Sequence, residues 1–144
     1  MESRLQQLMD EAPDAILAAD QGGIIRYWNL GAEQIFGYTA DEAVGQSLDL
    51  IIPENLRGRH WEGYNRVMAS GETKYKTGLL SSPGLKKDGS RVSLEFSMVL
   101  LRDESGAMWG CGTVMRDVSV RWQREKELKA RISSCEARHG DHPG

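Results

Sequence analysis

The chain carries three histidines and two cysteines, and His60 is the one that falls within a patterned helical stretch. Leu56, His60, Tyr64 and Val67 recur at i, i+4, i+8 and i+11, which is one face of a helix with 3.6 residues per turn. Arg57, Arg59, Glu62 and Arg66 mostly fall elsewhere on that helix. His60 therefore belongs to the stripe that faces the core, where an imidazole is costly unless its nitrogens are paired. A metal would satisfy one nitrogen, and a backbone carbonyl or a buried water the other. A histidine at such a place can equally be an ordinary core residue satisfied by its neighbours, and the spacing leaves both readings open. Signatures of catalysis are missing: there is no Walker loop, no HExxH, no nucleophile elbow and no CxxC pair, so no enzymatic activity is expected. Gly106, Gly110 and Gly112 fall in and before a strand, whereas a phosphate cradle needs a loop-to-helix junction. His139 and His142 belong to a tail that reads as disordered.

The elements that must position His60 follow from periodicity and punctuation. Residues 2–10 carry Leu5, Leu8 and Met9 at helical spacing, and Pro13 follows soon after. Residues 15–20 and 24–29 are apolar runs around a Gln21-Gly22-Gly23 turn, which predicts a hairpin. Asn29 caps a short helix over 30–36 that ends at Gly37, and Thr39 with Glu42 forms a capping box for the next one. Pro53 opens the longer helix, over about 54–69, which Gly71 closes. Three strands follow at 74–86, 91–102 and 107–117, separated by Lys87-Asp88-Gly89 and by Asp103-Glu104-Ser105-Gly106. In the middle one Leu94, Phe96, Met98 and Leu100 share a face opposite Ser93, Glu95 and Ser97. A charged helix runs from Ser119 to about Arg138. This order predicts an α+β fold: a five-stranded antiparallel sheet with short helices and one longer helix on one face, flanked by N- and C-terminal helices.

The 144 residues amount to one domain, and 40% hydrophobic content is enough for a core. A net charge of −3 argues against nucleic acid as a partner, and no apolar run is long enough for a membrane span. Cys111 and Cys135 fit a reduced, cytoplasmic protein better than a disulfide scaffold. The expected organisation is a cap helix at 1–11, a sensor domain at 12–119, and a linker helix with a tail at 120–144.

The same order, with its punctuation, resembles a PAS domain of the S-box type. The resemblance rests on WNLGAEQIFGYTADEAVGQSL (28–48), IIPE (51–54), ASGE (69–72), LKKDGSRVSLEFS (85–97) and VMRDVS (114–119), and it runs from about Ala12 to Ser119. It implies a sheet cupping a small cavity against the long helix, and a sensory or dimerising role. Within it, RHWEGYNRV (59–67) is similar to the haem-ligating helix of FixL-type oxygen sensors. That similarity implies haem b with His60 as the axial iron ligand, Arg66 as the propionate-pairing arginine, and Tyr75, Phe96 and Met98 as the apolar distal wall. Tyr64 and Val67 share the helix face of His60. At the position of the arginine that binds oxygen in those sensors this chain has Leu80, which implies CO, NO or redox sensing rather than tight oxygen sensing.

Other ligands follow from the same resemblance. Photochemistry of the light-oxygen-voltage type needs a cysteine in a helical Asn-Cys-Arg motif, and neither Cys111 nor Cys135 lies in one. Non-covalent flavin or a fatty acid would suit an apolar cavity, and a cofactor-free interaction module is the alternative of another class. Met98 could be a sixth iron ligand or a core residue, and Trp61 could edge the pocket. Asp117 occupies the place where PAS domains join the last strand to a linker helix, and beyond it Leu128, Ile132 and Cys135 follow a/d spacing. A homodimer and a separate effector protein are the expected partners.

Overall fold

The computed structural model describes residues 2–72 and 79–140, with side chains as far as Ser133. Helix α1 (Glu2–Glu11) leads into β1 (Ala15–Asp20) and β2 (Ile25–Trp28), joined by the expected tight turn. Asp20 organises that turn: its Oδ1 accepts from the amides of Gly22 and Ile24, and its Oδ2 pairs with Arg26 at 2.8 Å. Gly23 adopts φ +77°, a conformation that a side chain would disfavour.

Local signals decide the next elements. Asn29 caps α2 (Leu30–Phe36), which Gly37 ends in the left-handed region, and Thr39 and Glu42 form a complete capping box on α3 (Ala40–Ala43). The longer helix departs from expectation at its start. Pro53 is followed by a 3-10 turn (Glu54–Leu56), and the α-helical part, α4, is Arg57–Ser70. Arg57 explains the delayed start. Its guanidinium folds back onto the carbonyls of Ile52 (3.1 Å) and Asp49 (3.2 Å), which ties the junction to the preceding loop.

Strands β3 (Leu80–Leu85), β4 (Arg91–Arg102) and β5 (Met108–Asp117) precede the terminal helix α5 (Ser119–Gly140). The expectation of strand at 74–78, and with it Tyr75, lies outside the described residues. The five strands form one antiparallel sheet in the order β2-β1-β5-β4-β3, with β5 in the centre. Pro83 sits in β3, at the sheet edge, where a missing amide hydrogen bond is tolerated.

Register assigns the faces. Leu17, Thr113 and Met98 lie opposite one another across β1, β5 and β4, as do Ala15, Met115, Phe96 and, on β3, Leu80. This inner face joins Ile25, Trp28, Ala32, Phe36, Leu48 and Ile51 in one core. The expected α+β architecture is present, with the connecting helices between β2 and β3. Asn29, only 3% exposed, ties the first half together: Oδ1 accepts from Ile16 and Ala32, while Nδ2 donates to Met9, Ala12 and Asp14.

Candidate functional site

Helix α4 does not sink into the core. None of its residues is fully buried; Trp61 and Tyr64 reach the core cluster and prop the helix against it. The outer edge of the Trp61 indole abuts Gly23, and its Nε1 donates to Asp49 Oδ1 at 2.7 Å. Tyr64 donates its hydroxyl to the carbonyl of Asp20. His60 completes a cluster of three rings with these props, edge-on to Trp61 at 4.8 Å between centroids and tilted against Tyr64 at 5.7 Å, while Trp61 and Tyr64 meet edge-on at 5.5 Å.

Leu56, His60, Tyr64 and Val67 are all half-buried and Arg59, Glu62 and Arg66 are exposed, but Arg57, expected off the stripe, is half-buried as well, folded onto the preceding loop. His60 Nδ1 is buried and has no hydrogen-bond partner among the described residues. Facing the helices, Leu80, Phe96, Met98 and Leu100 are also half-buried, although Val92 and Leu94 on the same face of β4 are buried.

The other site residues expected from the sequence divide. Phe96, Met98 and Leu80 share the inner sheet face, with Leu80 and Phe96 directly paired. Arg66 is on the solvent side, paired with Glu62 at 3.2 Å. Tyr75 lies outside the described residues. Asp20, Gly23 and Asp49, which receive the props, were not singled out by sequence reasoning, nor was Thr113. Thr113 had a signal: it alternates in phase with the buried Cys111 and Met115. Of the tryptophans, Trp28 is core and bonds the carbonyl of Tyr38, whereas Trp109 and Trp122 are exposed.

Burial sets the electrostatics. Desolvation lowers the pKa of His60, and the nearby Asp49 carboxylate only partly opposes it, so the imidazole stays neutral. Desolvation also carries the Tyr64 phenol above the ordinary tyrosine range, with the charges of Cys111 and Asp20 adding to it. The Cys111 thiol is pushed up to about 11 by burial, which makes it a poor nucleophile.

Because the unfolded chain takes up the His60 proton first, stability from this group is complete above about pH 6.5 and is lost as pH falls towards the folded pKa. Chemical denaturation from pH 7.5 to 5 should therefore show a steeper acid loss for the wild type than for His60→Gln. Equal slopes would mean that His60 is not desolvated.

The sheet also leads directly into the terminal helix. Asp117 Oδ1 accepts from the Ser119 amide at 2.9 Å, Ser119 Oγ accepts from Ser93, and Arg121 pairs with Glu95 of β4. These bonds tie the start of α5 to β4. No described helix is long and apolar enough to cross a membrane.

This sheet order, the propped helix and the strand-to-helix junction define the chain's class, and comparison with known proteins gives the family. A family model described as the PAS fold matches residues 9–123, and the chain belongs to that family. It is similar to an uncharacterized protein of Azorhizobium caulinodans, 30% identical over 129 residues, covering 89% of this chain and 17% of that protein. It is also similar to the sensor protein FixL of Bradyrhizobium diazoefficiens, 27% identical over 128 residues, covering 89% of this chain and 25% of FixL. The chain thus spans a quarter or less of these relatives. Among solved structures, the PAS domain of a Colwellia psychrerythraea protein superposes with a TM-score of 0.71 at 23% identity, covering 82% of this chain and 97% of that one. The chain is a PAS domain.

Proposed function

We propose that this domain, with boundaries near residues 12 and 119, senses its signal through haem b held by His60. The observation that carries the reading is the buried Nδ1 of a neutral imidazole, which has no hydrogen-bond partner among the described residues. Neutral imidazole is the form that binds iron. Leu80, Phe96 and Met98 supply an apolar wall for the macrocycle, Tyr64 and Val67 the helix side, and Tyr75 is assigned to the same wall from the resemblance. Arg66 would exchange the Glu62 carboxylate for a propionate, a swap of one anion for another in an exposed pair that contributes little. When bound, haem supplies a redox-active iron whose sixth position accepts a diatomic gas. The residues of the chain hold the ring, keep water from it and pass a shift of β4 to α5. In the cell, on this reading, the domain works in the cytoplasm as a homodimer and reports to a separate effector, as in two-component signalling.

Haemin titration tests the reading. The wild type should develop a stoichiometric Soret band, and His60→Ala should bind at least about ten-fold more weakly, the loss of one strong ligand. No band, or a band indifferent to His60→Ala, removes haem. The second reading is a cofactor-free dimerisation module. It is favoured by α1 and α5, where Leu5, Leu8, Leu128 and Ile132 are each at least 52% exposed. Mass spectrometry of the purified protein separates both from a flavin or fatty-acid carrier.

A further inference from the structure

The two flanking helices leave their apolar sides uncovered. Every residue of α1 is exposed, Leu5, Leu8 and Met9 included, and so is every described side chain of α5 from Val120 to Ser133. Yet the end of α1 and the start of α5 lie at the same end of the sheet. Ala15 of β1 pairs with Met115 of β5, and the Asp14 carboxylate holds Arg116 at 3.1 Å. Tyr27 donates to Asp10 and Asn29 to the Met9 carbonyl, which fixes the last turn of α1. Within one protomer, neither helix shields the other.

Charge separates the ways in which a second copy could cover them. On α5, Leu128 and Ile132 form an apolar seam with Arg124 and Lys129 on its two flanks. Glu125 joins the seam but is engaged by Arg121 at 3.9 Å. Arg124, Lys129 and Arg131 make no ion pair among the described residues. Two α5 helices lying parallel along this seam would set Arg124 of one against Lys129 of the other, and like charges at these flanking positions oppose pairing. Helix α1 has the opposite balance, with Glu2, Asp10 and Glu11 against Arg4. Asp10 and Glu11 crowd its C-terminal end, where the helix dipole is already negative, so a cationic neighbour would relieve them.

We propose that in the homodimer α1 of each copy covers the α5 seam of the other, a contact made twice about a two-fold axis. The apolar sides supply the burial, and opposite charge selects α1 over a second α5. The inference rests on the homodimer reading and is independent of haem.

Sedimentation equilibrium of the haem-free chain tests it. The wild-type dimer should weaken about five-fold or more as salt rises from ~50 to ~500 mM, because screening removes an attraction. A dimer seamed by α5 alone would tighten instead. Glu2→Lys with Glu11→Lys should weaken the dimer about ten-fold, and so should Arg124→Glu with Lys129→Glu. Mixed in equal amounts, the two double variants should form a heterodimer of near wild-type strength, since each then offers the charge that the other lacks. A chain whose α1 or α5 had merely unfolded could not recover in this way. A dimer indifferent to the α1 reversals, or a mixture as weak as its components, overturns the inference. A wild-type chain that stays monomeric throughout removes the homodimer reading, and this inference with it.

Discussion

Asn29→Ala is expected to lower the stability of the domain by about 3–4 kcal/mol, the largest single-residue effect outside the apolar core. The side chain is the N-cap of α2, a role whose loss costs about 1 kcal/mol. It also accepts from Ile16 at 2.8 Å and donates to Met9 (2.8 Å), Asp14 (3.1 Å) and Ala12 (3.3 Å). Truncation leaves the Ile16 amide and these carbonyls unsatisfied in a place that water reaches poorly, at about 1–3 kcal/mol for the worst of them. The bonds connect α1, the linker to β1, β1 itself and α2, so α1 should also come loose and its amides exchange faster. Asn29→Asp keeps the acceptor but turns a second anionic oxygen towards three carbonyls, and it should be about as damaging. Urea unfolding reads both variants. A loss below about 1 kcal/mol in Asn29→Ala would show that the network is dispensable.

Gly23→Ala is the second large effect, and Gly89→Ala is its control. Both glycines have positive φ, +77° and +88°, so alanine at either pays the left-handed strain of roughly 1 kcal/mol. At Gly89 the added methyl meets nothing within 4 Å, whereas at Gly23 it would lie 2.1 Å from Cη2 of the Trp61 indole. The indole must withdraw, which breaks its bond to Asp49 and removes one of the two props under α4. We expect a total cost of about 2–3 kcal/mol for Gly23→Ala against about 1 for Gly89→Ala. Haemin uptake should weaken several-fold in the first and hold in the second. Equal destabilisation of the two variants would mean that Trp61 does not support the helix through Gly23.

These two variants also separate what was legible in the chain from what was not. Asn29 as a helix cap could be read from one residue ahead of an amphipathic segment; its reach back to Met9 and Ala12, across 20 and 17 positions, could not. The turn glycines were evident from their flanking strands. Which of them carries an indole depends on where a helix more than thirty residues later crosses the turn. His60 was found by periodicity, because a helix repeats every 3.6 residues whatever it packs against. Thr113 carried the same kind of signal in strand form, but a threonine on a strand is ordinary until its hydroxyl is known to lack a partner.

The amino-acid sequence by itself determined most of the elements, their caps and turns, the antiparallel character of the sheet and the family resemblance. Those depend on hydrogen bonds and side-chain alternation within a few residues, and such interactions are written locally. Only the tertiary structure decided the strand order, that α4 stands propped on Trp61 and Tyr64, that Arg66 turns to solvent and Glu62, and that His60 and Thr113 keep buried polar atoms without partners among the described residues. Whether a buried polar atom finds a partner depends on which distant segments close around it, and no local pattern specifies that.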